Sequence, residues 1–243
     1  MMNIVVPMAG RGSRFASVGY KDPKPLIPVE GRPMIDWVVE CMRPSQPHRF
    51  VFLCLGEHLR ETPMRAVLER SAPGCLVVGV ESVTEGAACT VLLAREWIDG
   101  DAPLMIANSD QWVCHPVDRY LAGMGDADGL IMTFWNDHPK WSYARQSADG
   151  SVVEVVEKQV VSDQATVGVY NFRHGRDFVR AADLMIAQDL RVNNEFYVAP
   201  AYNILIAEGR RIALFDIEKD GGRMHGLGTP EDLEAFLASR GRS

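Results

Sequence analysis

Short apolar runs alternate with amphipathic stretches through the first half of this chain. Residues 3–8 are almost wholly apolar and lead straight into Ala9-Gly10, the pattern of a buried strand entering a glycine turn. After Gly31-Arg32-Pro33, Met34, Val38 and Met42 recur at helical spacing behind a proline suited to a first helical turn. Residues 49–55 and 76–80 read as two more buried strands, separated by a helix over 57–69 that Pro63 disturbs. Ala87, Val91, Ala94 and Ile98 share one face of a helix predicted over 86–97, and a fourth apolar strand, 103–107, ends at Asn108-Ser109-Asp110. Strands alternating with helices predict a parallel sheet with right-handed crossovers.

The second half loses that rhythm. Residues 129–135 and 166–172 read as strands, and the runs 142–146 and 151–156 flank Asp149-Gly150, a strong hairpin signal. Helices are predicted over 175–187 and 195–207, with a late strand at 211–217. Thr229-Pro230-Glu231-Asp232 opens a final helix, with Thr229 as cap, proline at the first position and acids at the positive end of the dipole. No linker or internal repeat divides the chain. The pattern therefore predicts one domain over residues 1–243, a mostly parallel core with an antiparallel substrate-binding insert.

Composition narrows what such a domain does. Of 243 residues, 47% are hydrophobic and 23% charged, enough to bury a sizeable core. A net charge of -7 argues against general nucleic-acid binding, so a phosphorylated ligand would need a local cationic pocket. Cys41, Cys54, Cys75, Cys89 and Cys114 form no C-x-x-C pair and mostly sit in apolar runs, which reads as reduced core thiols of a cytosolic protein. The start, MMNIVVPMAG, has no cationic segment before its apolar run and reads as a first strand, not a signal peptide. No stretch is long and apolar enough to span a membrane. A cytoplasmic protein is expected.

The chemistry concentrates in a few segments. Pro7-Met8-Ala9-Gly10-Arg11-Gly12-Ser13-Arg14-Phe15 follows the first strand directly. Its glycines let the backbone approach a ligand with N–H groups facing phosphate oxygens, and Arg14 adds a planar fork suited to phosphate. A G-x-G alone reads more readily as an ordinary turn. A P-loop would need G-K-[ST] and a dinucleotide fingerprint a third glycine where Phe15 stands, so both are excluded. In Asp22-Pro23-Lys24-Pro25-Leu26-Ile27-Pro28-Val29 the prolines hold the stretch extended and stiff, which fixes Lys24; a lysine so placed is otherwise just a solvated loop residue.

Together, the glycine loop, P-K-P-L-I-P-V and G-R-P-M-I resemble the signature of the sugar-phosphate nucleotidyltransferase family, in particular its capsule and surface-polysaccharide members and those similar to phosphocholine cytidylyltransferases. The resemblance implies a Rossmann-like three-layer α/β/α sandwich, with residues 1–125 binding the NTP and 126–243 the acceptor. It implies that Ala9, Gly10, Gly12, Ser13 and Arg14 cradle the NTP phosphates and that Lys24 contacts them at the reacting α-phosphorus. Arg14 and Lys24 would be catalytic. Glu85, Gly86 and Ala87 resemble the segment that faces base and ribose. Asp110, at the tip of a parallel strand, matches the acidic Mg²⁺ ligand; alone, it would read as a turn or cap. Glu157-Lys158 resembles the pair that holds sugar and acceptor phosphate, although Gln159 replaces the usual proline. Gly168 leaves room for substrate. Glu195 matches a position that bonds acceptor hydroxyls, or is an acid at a helix start. Where relatives carry a second acidic metal ligand before Gly-Thr, this chain reads His225-Gly226-Leu227-Gly228-Thr229, leaving His225, Asp216 or water as candidates.

The implied reaction joins a nucleoside monophosphate from an NTP to a small phosphorylated acceptor, most simply a sugar phosphate, with release of pyrophosphate and with Mg²⁺ as cofactor. Two variants stay open: a CTP-dependent enzyme for a non-sugar phosphate, phosphocholine-like or phosphorylated amino-acid-like, and a nucleotide-binding regulator without turnover. A glycosyltransferase of related fold would want Asp-x-Asp at the strand tip, where Ser109-Asp110-Gln111 offers one acid. Neither nucleic acid nor membrane is an expected partner, and a homo-oligomer is left open.

Overall fold

The apolar runs become strands of one mixed sheet in the computed structural model, which describes residues 1–240. In chain order the strands are β1 (Met2–Met8), β2 (His48–Leu55), β3 (Leu76–Val80), β4 (Leu104–Ala107), β5 (Gly129–Trp135), β6 (Ser142–Gln146), β7 (Val152–Glu157), β8 (Gln164–Phe172) and β9 (Ile212–Asp216). Their order across the sheet is β7-β6-β8-β4-β1-β2-β3, with β5 also pairing β8 and β9 pairing β5. β4, β1, β2 and β3 are parallel, whereas β8 runs antiparallel to its neighbours β4, β5 and β6.

Both faces of the parallel strands are covered, which is why they read as unbroken apolar runs. Along β1, Val5 joins a core with Val51, Leu53 and Ile106, while Ile4 and Val6 join the opposite one with Phe50 and Phe52. Helices close both faces to give the three-layer α/β/α arrangement. A smaller third cluster gathers Phe15, Ile27, Val29, Met34, Leu227, Leu233 and Phe236. It ties the glycine loop, the proline-rich segment and the final helix, Pro230–Arg240, to one another.

Several predicted elements differ in detail. The helix expected over 57–69 is two helices, Gly56–Glu61 and Met64–Ser71, broken at Pro63. That over 86–97 divides into Ala87–Leu92 and Arg95–Ile98, yet Val91, Ala94 and Ile98 remain buried as one stripe. The helix predicted over 195–207 is confined to Ala201–Ala207. Ahead of it, Asn193 and Asn194 adopt left-handed backbone, and Val192 bridges Glu195. The Phe196 N–H donates to the Glu85 carbonyl, so tertiary pairing outweighs helical periodicity until Pro200 restarts the chain. The stretch read as extended around Lys24 is a 3₁₀ turn, Lys24–Leu26, whose φ suits proline. Short elements without a periodic signal also appear: helices Ser13–Ser17 and Val117–Ala122, and an antiparallel pair of Gln111–Cys114 with Arg223–Gly226. All five cysteines are free, but Cys54 alone is fully buried; Cys114, on the short edge pair, is exposed. No helix among the described residues is long and apolar enough to cross a membrane.

Candidate active site

β1, β2 and β3 step across the sheet in one direction, and β4 returns to the other side of β1. Open α/β sheets bind ligands at the carboxyl ends of strands where the order reverses, here between β1 and β4. β1 ends in the glycine loop and β4 in Asn108-Ser109-Asp110. Two adjoining cavities open at these tips, about 230 Å³ and 340 Å³, with Ala87 lining both.

Small residues predominate in the lining of the smaller cavity. Ala9, Gly10 and Gly12 supply one side and Thr84, Gly86 and Ala87 the other. Gly12 has φ +62°, and a Cβ there would lie 3.4 Å from the Lys24 Cβ, so loop and lysine segment pack closely. Buried Phe15 meets Tyr20 edge-to-face at 5.2 Å and pins the loop from beneath. Gly86 has φ +133°, and a Cβ there would collide with the Phe196 backbone. Phe196 N–H donates to the Glu85 carbonyl at 2.8 Å, and Ala88 N–H donates to the Phe196 carbonyl at 3.0 Å. These bonds tie the loop before Ala87–Leu92 to the segment carrying Glu195 and Tyr197.

At the boundary between the cavities, Lys24 Nζ donates to Asp110 Oδ2 at 2.7 Å. Lys24 lines the smaller cavity and Asp110 the larger. The larger cavity is walled by side chains: Arg14, Lys140, Trp141, Glu157, Lys158, Tyr197 and Asp232. Lys158 holds left-handed backbone at φ +56°, an uncommon state for a non-glycine residue, and turns its ammonium to the Tyr197 hydroxyl and over its ring, 4.6 Å from the centroid. The Tyr197 hydroxyl in turn donates to Glu195. Burial, then that carboxylate, pushes the Tyr197 hydroxyl above its ordinary range. Glu157 is also pushed up by burial, partly offset by a hydrogen bond from Ser142 and by the Lys158 charge. Gly168, at φ +86°, occupies a bulge of β8, where a side chain would collide with Asn108.

The family model described as nucleotidyl transferase matches residues 4–191. The chain belongs to this family. Nucleotidyl transferases similar to it include the bifunctional protein GlmU of Thermotoga maritima, 28% identical over 229 residues, covering 88% of this chain and 46% of that protein. The chain thus spans about half the length of the GlmU relatives it matches. The UTP–glucose-1-phosphate uridylyltransferase AglF of Haloferax volcanii is 23% identical, covering 96% of this chain and 94% of that one. A nucleoside-diphosphate-sugar pyrophosphorylase from Vibrio cholerae RC9 superposes with a TM-score of 0.76 at 25% identity, over 97% of this chain and 99% of its own. The α/β sandwich of this nucleotidyl transferase is the fold of that solved structure.

In this nucleotidyl transferase, Ala9, Gly10, Gly12, Gly86, Ala87 and Lys24 line the smaller cavity, and Asp110, Glu157, Lys158 and Gly168 the larger. Arg14 lines the larger cavity and Glu195 the smaller, so neither lies with the residues it was expected to accompany. Since no helix starts at Glu195, its reading as a helix-start acid falls away. Ser13 and Glu85 line neither cavity; the Glu85 carboxylate turns outward to Arg191 at 2.6 Å. Neither His225 nor Asp216 lines a cavity. His225 packs between Trp112 and Phe236, with burial lowering its pKa, and Asp216 takes the N–H groups of Glu218 and Lys219. Lys140, Trp141, Tyr197 and Asp232 are further lining residues. Tyr197 falls within the Asn-Asn-Glu-Phe-Tyr motif, whereas Lys140 and Trp141 sit in a loop with no periodic signal.

A divalent ion fits the donor set at Asp110. Its carboxylate is partly shielded and faces a cavity, and a Cβ at Gly228 would stand 2.6 Å from Oδ2, so only a glycine leaves that oxygen room. No group of three or more His, Cys, Asp or Glu converges among the described residues. An ion held here therefore takes few protein ligands, the habit of Mg²⁺, which usually completes its shell with phosphate oxygens and water.

Proposed function

We propose that the chain transfers a nucleoside monophosphate from an NTP to a sugar 1-phosphate and releases pyrophosphate. The observation that carries this reading is the Lys24–Asp110 pair, set where a glycine-lined cavity meets one lined by Arg14 and Lys158. The glycine-lined cavity suits the triphosphate, and the cationic one suits the acceptor phosphate.

An acceptor phosphate oxygen attacks the α-phosphorus; the bond to the β-phosphate bridging oxygen breaks, and the electron pair leaves with pyrophosphate. The attacking group is already an anion, so the step requires no general base. Catalysis is positioning together with charge neutralisation. Lys24 faces the developing charge, and Arg14 and Lys158 orient the acceptor phosphate against its own repulsion. Mg²⁺, with Asp110 as a ligand, would supply neutralisation of the phosphate oxygens. The names of the relatives support a sugar phosphate as acceptor. The motif variant G-Y-K-D-P-K-P-L-I-P-V supports a place in capsule or surface-polysaccharide precursor synthesis.

Pyrophosphate release across a matrix of four NTPs and several phosphorylated acceptors tests the reading. Release with UTP or dTTP and a hexose 1-phosphate is expected. Release confined to CTP with a non-sugar phosphate would replace the acceptor assignment, and none with any pair would make the chain a nucleotide-binding regulator.

A further inference from the structure

The acid absent before the final Gly-Thr leaves a question of geometry: what occupies the space it would fill? Gly226 and Gly228 alternate along the segment that covers Asp110. A Cβ on Gly228 would face Asp110, and a Cβ on Gly226 would lie 3.7 Å from Asp232 Oδ2 and 3.9 Å from its Cγ. The Asp232 carboxylate thus already stands where a side chain at position 226 would reach. Asp232 and Asp110 line the same 340 Å³ cavity.

We propose that Asp232, from the first turn of the final helix, replaces the acid missing at Gly226 as the second carboxylate toward the divalent ion of this site. The inference rests on the nucleotidyltransferase reading above.

Three features support the assignment. First, the position of Asp232 is fixed. Its N–H donates to Thr229 Oγ1 at 3.2 Å, and the next residues of that helix, Leu233 and Phe236, are buried with Phe15 and Ile27. The start of this helix is therefore packed against the glycine loop and the proline-rich segment. Second, the carboxylate is turned to Lys140 Nζ at 3.0 and 3.2 Å. An acid serving the helix dipole alone needs no such contact. Third, the two carboxylates are equivalently balanced: Lys24 neutralises Asp110 and Lys140 neutralises Asp232. Two carboxylates on one cavity, each with an exchangeable ammonium partner, suit an ion that takes one or two carboxylates and finishes its shell on substrate.

The test titrates Mn²⁺ into the full chain with UTP and no acceptor, and into the same UTP alone, taking as binding to the chain the loss of free-Mn²⁺ electron paramagnetic resonance signal beyond that caused by UTP itself. Asp232→Asn is expected to weaken Mn²⁺ binding at least about tenfold, the loss seen when even an outer partner of a metal ligand is removed. Thermal melting confirms that the variant is folded. Adding Gly226→Asp to Asp232→Asn is expected to restore binding, because ordinary van der Waals space surrounds a Cβ at 226. Unchanged Mn²⁺ affinity in Asp232→Asn, with Asp110→Asn weakened, would overturn the inference and leave the nucleotidyltransferase reading standing. Failure of Gly226→Asp to recover binding would also overturn it, assigning the effect of Asp232 to its lysine pair. No signal loss beyond that of UTP alone with the unaltered chain would instead remove the metal from the reading itself, and Asp232 with it.

Discussion

The two cavities meet at Ala87 but are built by opposite means. The smaller is lined mainly by small residues from short local segments, among them glycines at positions 10, 12 and 86, two of them at positive φ, beside a proline-flanked lysine turn. The larger is a side-chain mosaic drawn from segments far apart in sequence, from Arg14 to Asp232. On the proposed reading, the smaller cavity would take what every NTP shares, its phosphates, and the side chains of the larger would distinguish one acceptor from another. If that division holds, a change in one cavity leaves binding in the other untouched.

The largest effect belongs to the junction. Lys24→Ala is expected to lower kcat for pyrophosphate release about 10²–10³-fold, the scale of removing one group preorganised for transition-state charge. The melting temperature should barely move, because a partly exposed ion pair contributes only about 0–1 kcal/mol. Unchanged kcat would place the phosphorus chemistry elsewhere.

Next come two glycines of the smaller cavity that separate fold from binding. Gly86→Ala forces a side chain into the Phe196 backbone at a φ reserved for glycine, and a loss of about 2 kcal/mol or more in chemical denaturation is expected. At Gly10 nothing lies within 4 Å of a Cβ. Gly10→Ala should therefore melt like the unaltered chain while the added methyl crowds the phosphates, raising KM for NTP roughly tenfold, about 1.4 kcal/mol. A Gly10→Ala variant that binds NTP normally would mean that the loop does not approach the ligand.

This division explains what the sequence made legible. The smaller cavity is built from short local segments, so the family resemblance carried by the glycine loop, Pro23-Lys24-Pro25 and Gly86 points to residues that line it, although Glu85 does not. The parallel strands were equally readable, because burial on both faces leaves unbroken apolar runs. The mosaic depends on long-range pairing. Asp232 read as a helix-start acid because its cavity contact is to Lys140, 92 residues away. The helix expected from Glu195 failed because Phe196 pairs with Glu85, a partner no local period encodes. Arg14 lines the larger cavity because Ser13–Ser17 is a helix, not a continuation of the loop, and that turn re-aims its side chain.

A smaller effect probes the mosaic alone. Tyr197 touches Lys158 and Glu195, so it positions the lysine rather than meeting the reacting phosphorus. Tyr197→Phe removes hydrogen bonding worth about 1 kcal/mol, so KM for the acceptor should rise roughly fivefold. KM for NTP should stay within error. Equal rises in both would show that the segment 192–197 serves the two cavities as one unit, and the contrast would fail there.

The smallest effect lies in pH. Burial raises the Glu157 pKa above its ordinary value of 4.5, against the opposing pull of Ser142 and Lys158. A folded-state pKa above the unfolded one means that the native chain binds the proton more tightly. The contribution of Glu157 to stability is then fully present below 4.5 and is lost as pH rises through the raised value. Glu157→Gln carries no such penalty at neutral pH. Its melting temperature relative to the unaltered chain should therefore improve between about pH 4 and pH 7. A gap that moves the other way would mean that attraction to Lys158 outweighs burial. Glu157 would then be held as a charged partner for that lysine, and the mosaic cavity would owe its shape to an ion pair instead of to a carboxyl kept partly out of water.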